Sequence, residues 1–360
     1  MPLLSLNFNN FRNLENKSID LLAKEVYFVG ENGQGKSNLL EAIYMSSYGN
    51  SFKTHSDSEI VKYNNTNFFI KAFFKENDGI SHTINTYYDS TKNIKKVIEK
   101  NGKKVKDKKE IINTIPCVLF CHDDLDFIVG EPERRRFFLD QSLTMYDIVY
   151  IDIIRKYKKI LKNRNILLKE KNYETLDIFD IQLAEVGKEI IIKRKNAIYQ
   201  FNRIFGNLFE KITGIEGVSI YYTPSWKSIE INEIINFMKE KRDIDKIMNT
   251  TMYGPHRDKI SFIKNGKQYI PSASTGQRRL LSIILRIAQS QYYSEITHKK
   301  PILLMDDVLL ELDPDKRQKV TALLPEYDQL FCTFLPGEPY ERYKKSTTRI
   351  FYIENGDWHE

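Results

Sequence analysis

Short apolar stretches with the alternation of β-strands dominate the first part of the chain. Residues 3–8 alternate apolar and polar side chains, and residues 25–29 form an apolar run that ends at Gly30. From residue 36 to about residue 48 the apolar positions recur every three or four residues, which is the period of a helix. The pattern therefore predicts a strand, a glycine-containing turn and a helix in direct succession.

Two Asn-Gly pairs predict hairpin turns, because this dipeptide favours the left-handed backbone that a tight turn between strands requires. The pairs are Asn101-Gly102 and Asn265-Gly266. The first pair is surrounded by lysines, namely Lys95, Lys96, Lys100, Lys103, Lys104, Lys106, Lys108 and Lys109. A run of lysines is most often a solvated surface, and a ribbon that contacts phosphates is the alternative that stays open.

The pattern changes in residues 141–245. Residues 146–171 and 176–213 have a helical period, are rich in Lys, Glu, Ile and Leu, and contain no proline. They predict two helices that are joined near Asn172 and form an antiparallel helical arm. At about 1.5 Å per residue, helices of roughly 26 and 38 residues extend only about 40 and 57 Å.

After about residue 250 the succession of strands, turns and helices returns. We therefore expect a discontinuous α/β head made of residues 1–140 and 246–360, split by a helical arm subdomain of residues 141–245. The length of 360 residues fits two domains or one domain with an insertion. A hydrophobic fraction of 41% with 29% charged residues is enough for a real core, which excludes a disordered chain.

The charge balance is mildly basic, with 55 Lys and Arg against 48 Asp and Glu. It favours polyanionic partners, nucleic acid before an anionic membrane. Cys117, Cys121 and Cys332 are too few for a disulfide framework and lack metal-site spacing, which indicates core cysteines in a reducing compartment. No stretch approaches the roughly 18 to 20 apolar residues of a membrane span, and residues 1–11 lack the features of a signal peptide. We expect a cytoplasmic protein without a membrane partner.

The residues that join the predicted strand to the predicted helix fit the phosphate-binding pattern G-x-x-x-x-G-K-[ST]. They are Gly30, Glu31, Asn32, Gly33, Gln34, Gly35, Lys36 and Ser37. The glycines let backbone N–H groups close around phosphate oxygens, and the helix N-terminus adds a partial positive charge. We expect Lys36 to reach the β- and γ-phosphates of ATP and the Ser37 hydroxyl to ligate Mg²⁺.

A second motif, Asp306-Asp307, follows four apolar residues, 302–305. Such a run predicts a buried parallel strand whose carboxyl end presents the carboxylates to a metal ion. We expect Asp306 to hold Mg²⁺, directly or through water. Asp307 is the candidate that orients the attacking water or takes its proton.

A third motif, Ser274-Thr275-Gly276-Gln277, precedes an amphipathic helix predicted from residue 280 to about residue 292 and lies 32 residues before Asp306. Its order and spacing resemble the signature of ABC ATPases, in which a Ser and a Gly at a helix start offer donors to a γ-phosphate. In that class the phosphate belongs to the other subunit. The resemblance implies an ABC-type P-loop head, with a mixed sheet and flanking helices, whose ATP site is complete only in a head-to-head homodimer, with Ser274, Gly276 and Gln277 among its contacts.

Three departures from the ABC pattern predict slow ATP hydrolysis. Leu310 stands in residues 308–313 where the D-loop usually has Ser, and Asp307 is shorter than the usual Glu. The usual switch His is missing, and Thr333 is the nearest polar candidate at that strand end. The alternative is a non-enzymatic clamp that is gated by nucleotide and barely turns over. A transporter ATPase fits less well, because the helical arm and the basic balance argue against it.

Several further blocks occur in a characteristic order along the chain. They are Asn10-Phe11-Arg12-Asn13, residues 33–44, Pro132 to Asp140, Leu161 to Leu168, Gly254-Pro255-His256-Arg257-Asp258 and residues 274–313. Over nearly its full length the chain resembles the RecF family of bacterial recombinational-repair ATPases, which are related to SMC proteins. By analogy with related heads, Arg12 and Asn13 approach the nucleotide and Asp124 lies near the metal.

The resemblance implies ATP-dependent dimerisation and binding to DNA, especially at gaps where single and double strands meet. It also implies cooperation with RecR and RecO to load recombinase, and a role in DNA repair, replication restart and the SOS response. Two blocks keep two interpretations each. Residues 254–257 form either a structural turn with a satisfied His256 or a contact of His256 and Arg257 with nucleotide or partner. Residues 134–136 form either a salt-bridged helix start or a DNA contact.

Overall fold

The computed structural model describes residues 2–75, 79–112, 114–310 and 312–360. The chain divides into two compact units, the first made of residues 1–122 and 293–360 and the second of residues 123–292. The first unit is thus discontinuous in sequence. Both predicted boundaries, 140/141 and 245/246, lie inside the second unit.

The elements alternate between strands and helices. The strands are β1 (Leu3–Asn9), β2 (Ser18–Asp20), β3 (Glu25–Val29), β4 (Asn67–Lys75), β5 (Ser81–Asp89), β6 (Lys96–Lys100), β7 (Lys103–Lys104), β8 (Cys117–Phe120), β9 (Val218–Thr223), β10 (Lys259–Lys264), β11 (Lys267–Gln268), β12 (Ile302–Met305), β13 (Leu330–Phe334), β14 (Thr348–Glu354) and β15 (Asp357–His359). The α-helices are α1 (Lys36–Tyr48), α2 (Lys109–Ile112), α3 (Asp126–Val129), α4 (Pro132–Thr144), α5 (Ile148–Lys169), α6 (Leu176–Thr213), α7 (Ile231–Glu240), α8 (Arg242–Met248), α9 (Thr275–Thr297) and α10 (Pro314–Ala322).

A mostly parallel sheet of the first unit contains the strands that precede residues 30–37 and the Asp306-Asp307 pair. Its strand order is β15-β14-β3-β13-β12-β8, and each neighbouring pair is parallel except β14 with β15. Every residue of β3, β8, β12 and β13 is buried, as expected for parallel strands that are covered on both faces. Since the carboxyl ends of parallel strands meet at one edge, the turn after β3 and the acidic pair after β12 lie at the same edge.

An antiparallel sheet forms the second layer of the first unit, with the strand order β2-β1-β4-β5-β6-β7. In β4 buried and partly exposed residues alternate, so that one face enters the core. Helix α1 lies between the layers, because it contacts β4 and β5 of this sheet as well as β8 and β13 of the other. Helix α1 is therefore held on two sides by apolar sheet faces.

Both predicted hairpins are confirmed. Asn101 and Gly102 connect β6 to β7 with φ angles of 52° and 75°, and Asn265 and Gly266 connect β10 to β11 with φ angles of 50° and 74°. Positive φ at both central residues is the signature of the type I′ turn that matches the twist of the flanking strands.

The second unit contains the two long helices of the predicted arm, α5 with 22 residues and α6 with 38. The helices pack against each other. This region is not purely helical, because β9 pairs with β10 in a three-stranded sheet, β11-β10-β9. That pairing joins residues before and after the predicted boundary at 245/246, which explains why the boundary lies inside the unit.

Two buried arginines anchor the helices of the second unit. Arg164 of α5 contacts Asp180 of α6 at 2.8 Å and Asp245 of α8 at 2.7 Å. Arg194 of α6 contacts Asp258, just before β10, at 2.8 Å. A buried charge that loses its partner costs several kcal/mol, so these ion pairs specify how the helices and the small sheet pack.

Within the four described ranges, none of the helices combines the length and the apolar character that crossing a bilayer requires.

Candidate functional site

The loop between β3 and α1 has the geometry of an anion cradle. Gly33 and Gly35 adopt φ angles of 79° and 120°, which L side chains rarely adopt, so these glycines are required by the backbone path. Residues 31–33 are exposed, whereas Gly35 and Lys36 are buried. The exposed part of the loop thus lies next to the N-terminus of the 13-residue helix α1, whose N–H groups and dipole favour an anion.

Lys36 folds over this loop. Its ammonium donates to the carbonyl oxygens of Gly30 at 2.7 Å and Glu31 at 3.0 Å. The side chain is only 4% exposed. A lysine has three N–H donors, so this arrangement keeps a buried positive charge at the mouth of the cradle with a donor beyond those two bonds.

Ser37 and Asp306 lie together at the carboxyl edge of the parallel sheet. The Ser37 hydroxyl donates to Asp306 Oδ1 at 2.7 Å. Burial raises the pKa of Asp306, and the bond from Ser37 opposes that effect. A hydroxyl and a carboxylate are hard oxygen donors, and Mg²⁺ in nucleotide sites is typically held by one or two such groups together with phosphates. The two residues fit that role.

Thr333, at the end of β13, ties Asp307 in place. The backbone N–H of Asp307 donates to the Thr333 hydroxyl at 2.8 Å, and that hydroxyl lies 2.8 Å from Asp307 Oδ1. Asp307 has a φ of 55°, the left-handed region, which a non-glycine residue adopts only when its surroundings hold it there. The residue predicted as the nearest substitute for a switch His therefore contacts the candidate catalytic carboxylate.

Asn13 braces the loop between β3 and α1 from outside. Its side-chain amide donates to the carbonyl oxygens of Gly33 at 3.3 Å and Gln34 at 3.2 Å, and its oxygen accepts from Asn38 at 2.7 Å. Gly356, in the turn between β14 and β15, approaches so closely that a Cβ there would lie 1.9 Å from the Asn13 carbonyl oxygen. The contact of Asn13 with nucleotide stays a prediction; what it does here is shape the loop.

Arg12 binds the buried Glu41 of α1. The guanidinium donates to both carboxylate oxygens, at 2.9 Å and 2.7 Å, and to the Glu59 carbonyl oxygen at 2.8 Å. The Glu41 side chain is 0% exposed. The bidentate pair orients α1, so Arg12 supports the loop through the helix, and its contact with nucleotide stays a prediction.

Lys53 is a site residue that sequence reasoning missed. Its ammonium donates to Asn38 Oδ1 at 2.8 Å and interacts electrostatically with Glu41, Asp306 and Asp307. The chain reaches this place because α1 ends at Gly49, with φ 67°, and then turns back along the helix. Because this reversal brings together residues 15 positions apart, no local pattern marks Lys53 as a site residue.

Ser274 begins the signature helix α9 with a capping box. The Gln277 backbone N–H donates to the Ser274 hydroxyl at 3.3 Å, and the Gln277 side-chain oxygen accepts from the Ser274 N–H at 2.9 Å. Ser274, Thr275 and Gly276 are exposed, and nothing lies within 4 Å of the place where a Gly276 Cβ would stand. The signature therefore presents an accessible helix N-terminus in the second unit.

Residues 254–257 form a tightly packed turn. Gly254 has a φ of 135°, and a Cβ there would come 2.6 Å from the Tyr157 hydroxyl oxygen and 3.1 Å from the Trp226 ring. His256 Nδ1 pairs with the Tyr157 hydroxyl at 2.8 Å, and Nε2 with the Thr251 carbonyl oxygen at 2.9 Å. The carbonyl can only accept, so Nε2 carries the proton and Nδ1 accepts. These contacts favour the structural interpretation of His256.

Because His256 is held in its neutral form, we expect the free energy of unfolding to decrease in acid. Burial lowers its pKa from 6.5 to about 4, so this histidine contributes stability above pH 6.5 that is lost progressively as the pH falls toward 4. This difference in the pKa of His256 corresponds to at most roughly 3 kcal/mol in the free energy of unfolding. Urea unfolding gives the free energy of unfolding at pH 7 and at pH 5. Between these pH values it should decrease less in His256→Gln than in the unmodified protein. Equal losses in the two proteins would contradict this account.

The arginines at the start of α4 have intramolecular partners. Arg135 donates to the carbonyl oxygens of Ile128 at 3.1 Å and Gly130 at 3.0 Å, at the end of α3. Arg136 donates to the Asp258 carbonyl oxygen at 3.0 Å. Arg135 and Arg136 thus form hydrogen bonds within the second unit.

Asp124 forms an ion pair with Arg286 in the same unit. Both Nε and an Nη atom of Arg286 donate to Asp124 Oδ1, at 3.0 Å and 2.6 Å, and the Asp124 side chain is 4% exposed. Its approach to the metal stays a prediction, and the contact that the structure describes is a buried ion pair.

Comparisons with known proteins cover the whole chain. The family model described as RecF/RecN/SMC N terminal domain matches residues 2–358. The DNA replication and repair protein RecF of Treponema pallidum is 47% identical over 353 residues, which cover 98% of this chain and 99% of that protein. The protein of the same name from Clostridium perfringens is 34% identical over 364 residues and 99% of each chain.

Solved structures give a similar picture. The recombination mediator protein RecF-ATP of the RecFOR pathway superposes with a TM-score of 0.87 at 31% identity, over 99% of this chain and 96% of that one. An Smc head bound to the C-terminal winged-helix domain of ScpA has a TM-score of 0.59 at 16% identity and shows the fold alone.

Proposed function

Because this chain belongs to the RecF family of DNA replication and repair proteins, we propose that it is an ATP-dependent DNA-binding protein that dimerises on ATP. The observation that carries the proposal is the meeting of Lys36, Ser37 and Asp306 at one edge of the parallel sheet. The cradle, the buried ammonium and the hydroxyl–carboxylate pair are what a nucleoside triphosphate and its metal require.

We assign the ATP contacts to the chain's own groups. The backbone N–H groups of residues 30–37 hold phosphate oxygens, and Lys36 donates to the β- and γ-phosphates. Ser37 and Asp306 hold Mg²⁺, which when bound supplies positive charge that offsets the charge of the phosphates. Asn13 and the Arg12–Glu41 pair keep the loop and α1 in the conformation that binds.

The signature helix is proposed to act on the other subunit. Its exposed N-terminus, capped through Ser274 and Gln277, offers N–H donors and a dipole to an anion, and Gly276 lets a phosphate approach the backbone. A γ-phosphate held by the P-loop of a second copy has the matching charge. ATP would therefore be shared between two heads in a homodimer.

We propose slow turnover, with Asp307 as the group that orients water or accepts its proton. Asp307 is bonded to Thr333 through both its N–H and its carboxylate, and a carboxylate held in this way is positioned but less free to move with the reaction. We further propose that the ATP cycle sets how long the dimer stays on DNA. The second candidate, a nucleotide-gated DNA clamp with negligible turnover, rests on the same bonds.

The family likeness supports a proposal for the DNA and protein partners. The relative named above is a recombination mediator of the RecFOR pathway. We propose that this chain likewise binds gapped DNA, works with RecR and RecO, and helps to load recombinase in recombinational repair and replication restart. The net charge of +7 is compatible with phosphate contacts.

The test is equilibrium binding to a gapped duplex with ATP, with ADP and without nucleotide, together with phosphate release. We expect tighter DNA binding with ATP and phosphate release that is slow and rises with gapped DNA. If DNA affinity is the same in all three conditions, the ATP-dependent function is wrong. If ATP tightens binding while gapped DNA gives no phosphate release above the protein-free background, the clamp is the correct candidate.

A further inference from the structure

The outer face of the antiparallel sheet combines aromatic rings, lysines and amides. Because side chains alternate along a strand, Phe69, Lys71 and Phe73 of β4 share the face that points away from the core. Phe69 pairs directly with Tyr87 of β5, and Lys71 pairs with Asn85. All five side chains are partly exposed, although burial of the aromatic residues in the core would be the usual arrangement.

The neighbouring strands extend this face with polar groups. Asn7 of β1 pairs with Lys71 on the other side, and Asn9 pairs with Phe69. We call the set of Asn7, Asn9, Phe69, Lys71, Phe73, Asn85 and Tyr87 the outer sheet face. Its amides supply both donors and acceptors, and its rings supply flat apolar surfaces.

A groove of ≈ 610 Å³ opens on this face. Its apolar lining includes Phe69, Tyr87, Ile94 and Val97, and its polar lining includes Asn85, Lys92 and Glu99. That volume is in the range of pockets that hold a small organic molecule or a base. The Phe69–Tyr87 pair therefore lies in a concave surface.

Lysine ammonium groups lie beside the rings of this face. The Lys71 ammonium lies 4.6 Å from the Phe73 ring centre, and the Lys92 ammonium lies 5.7 Å from that of Tyr87. Two carboxylates also stand at this face: Asp89 accepts from the Tyr87 hydroxyl at 2.9 Å, and Glu99 lines the groove. Positive charges therefore lie beside the rings. Sites that bind single-stranded nucleic acid have the same combination: bases stack on aromatic side chains, and basic side chains contact the phosphates.

We propose that the outer sheet face binds single-stranded DNA, with bases stacked on Phe69, Tyr87 and Phe73 and phosphates held by Lys71 and Lys92. The inference rests on the proposed DNA-binding function and names the surface that holds the unpaired strand of a gap. Directly paired strand residues lie about 5 Å apart, whereas residues 69 and 73 lie roughly 13 Å apart along the strand. The face therefore offers two stacking positions that are separated by Lys71.

Replacement of the rings by leucine tests the proposal, because leucine keeps apolar volume but has no π face. Phe69→Leu and Phe73→Leu should each weaken binding of a fluorescent oligothymidylate about fivefold or more, and the double variant further. Tyr63→Leu is the matched control, since Tyr63 is 88% exposed and lies outside the sheet.

Binding of a blunt DNA duplex distinguishes a failure of this inference from a failure of the proposed function. Its bases are already stacked, so ring variants that bind duplex normally with ATP but bind the single strand weakly support the proposal. Unchanged single-strand affinity in the double variant overturns it, while ATP-dependent duplex binding by the unmodified protein would still support the function.

Crosslinking of the unmodified protein keeps the test independent of whether a variant folds. An oligonucleotide that carries 5-iododeoxyuridine should, on irradiation, attach to peptides that contain β4 or β5. Crosslinks that lie only in other segments would overturn the proposal.

Discussion

Replacing Lys36 with alanine is expected to weaken ATP binding by at least about 100-fold. The change removes a buried ammonium whose charge-assisted bonds to phosphates contribute on the order of 1.5–3 kcal/mol each. It also removes the donor that now bonds to the carbonyl oxygens of Gly30 and Glu31. Titration with a fluorescent ATP analogue, followed by competition with ATP, measures the affinity.

Lys62→Ala is the matched control, because Lys62 pairs with Glu15 at 3.0 Å and does not line the phosphate-binding loop. We expect it to bind ATP like the unmodified protein. Thermal unfolding of both variants shows whether the fold is intact. A folded Lys36→Ala protein that retained micromolar affinity for ATP would refute the assignment of the loop.

Ser274→Arg is expected to leave ATP binding intact and to abolish ATP-driven dimers. Ser274 lies in the second unit, at the exposed start of α9, so the change does not alter the residues that hold nucleotide in the same chain. A long arginine would occupy the space through which a γ-phosphate of the partner approaches, and it removes the capping hydroxyl. Light scattering with and without ATP reports the mass of the assembly.

The lost cap itself costs about 1 kcal/mol, which the melting temperature will show. Ser346→Arg introduces the same side chain at another exposed serine and serves as the control, which should still dimerise. Dimers of normal mass in Ser274→Arg with ATP would contradict the shared site.

Features that depend on neighbouring residues were predictable from the sequence. Strand β3 and helix α1 span the predicted residues 25–29 and 36–48, because the apolar period and the glycine turn act locally. The type I′ turns at residues 101–102 and 265–266 follow from the Asn-Gly dipeptides alone. The placement of Ser37 beside Asp306 was also accessible, since parallel strands end at a common edge.

Features that depend on distant residues were not predictable from one sequence. Strand β9 lies within the predicted helical arm, residues 141–245, and it pairs with β10, beyond the predicted boundary at 245/246. The bidentate bond of Arg12 to Glu41 and the approach of Gly356 to Asn13 join segments 29 and 343 residues apart, which no local pattern reveals. Lys53 reaches the site only because the chain reverses after Gly49.

The position of β3 in the parallel sheet has a consequence for how the protein is made. β3 lies between β13 and β14, and the turn at Gly356 closes over Asn13. At roughly 5–20 residues per second, the ribosome makes residue 356 about 15 to 60 seconds after residue 37. Until β13 is made, late in that interval, the apolar β3 lacks both of its strand partners. A chain released early would lack the braced loop, so we expect it to bind no ATP and to form no defective dimers with finished copies.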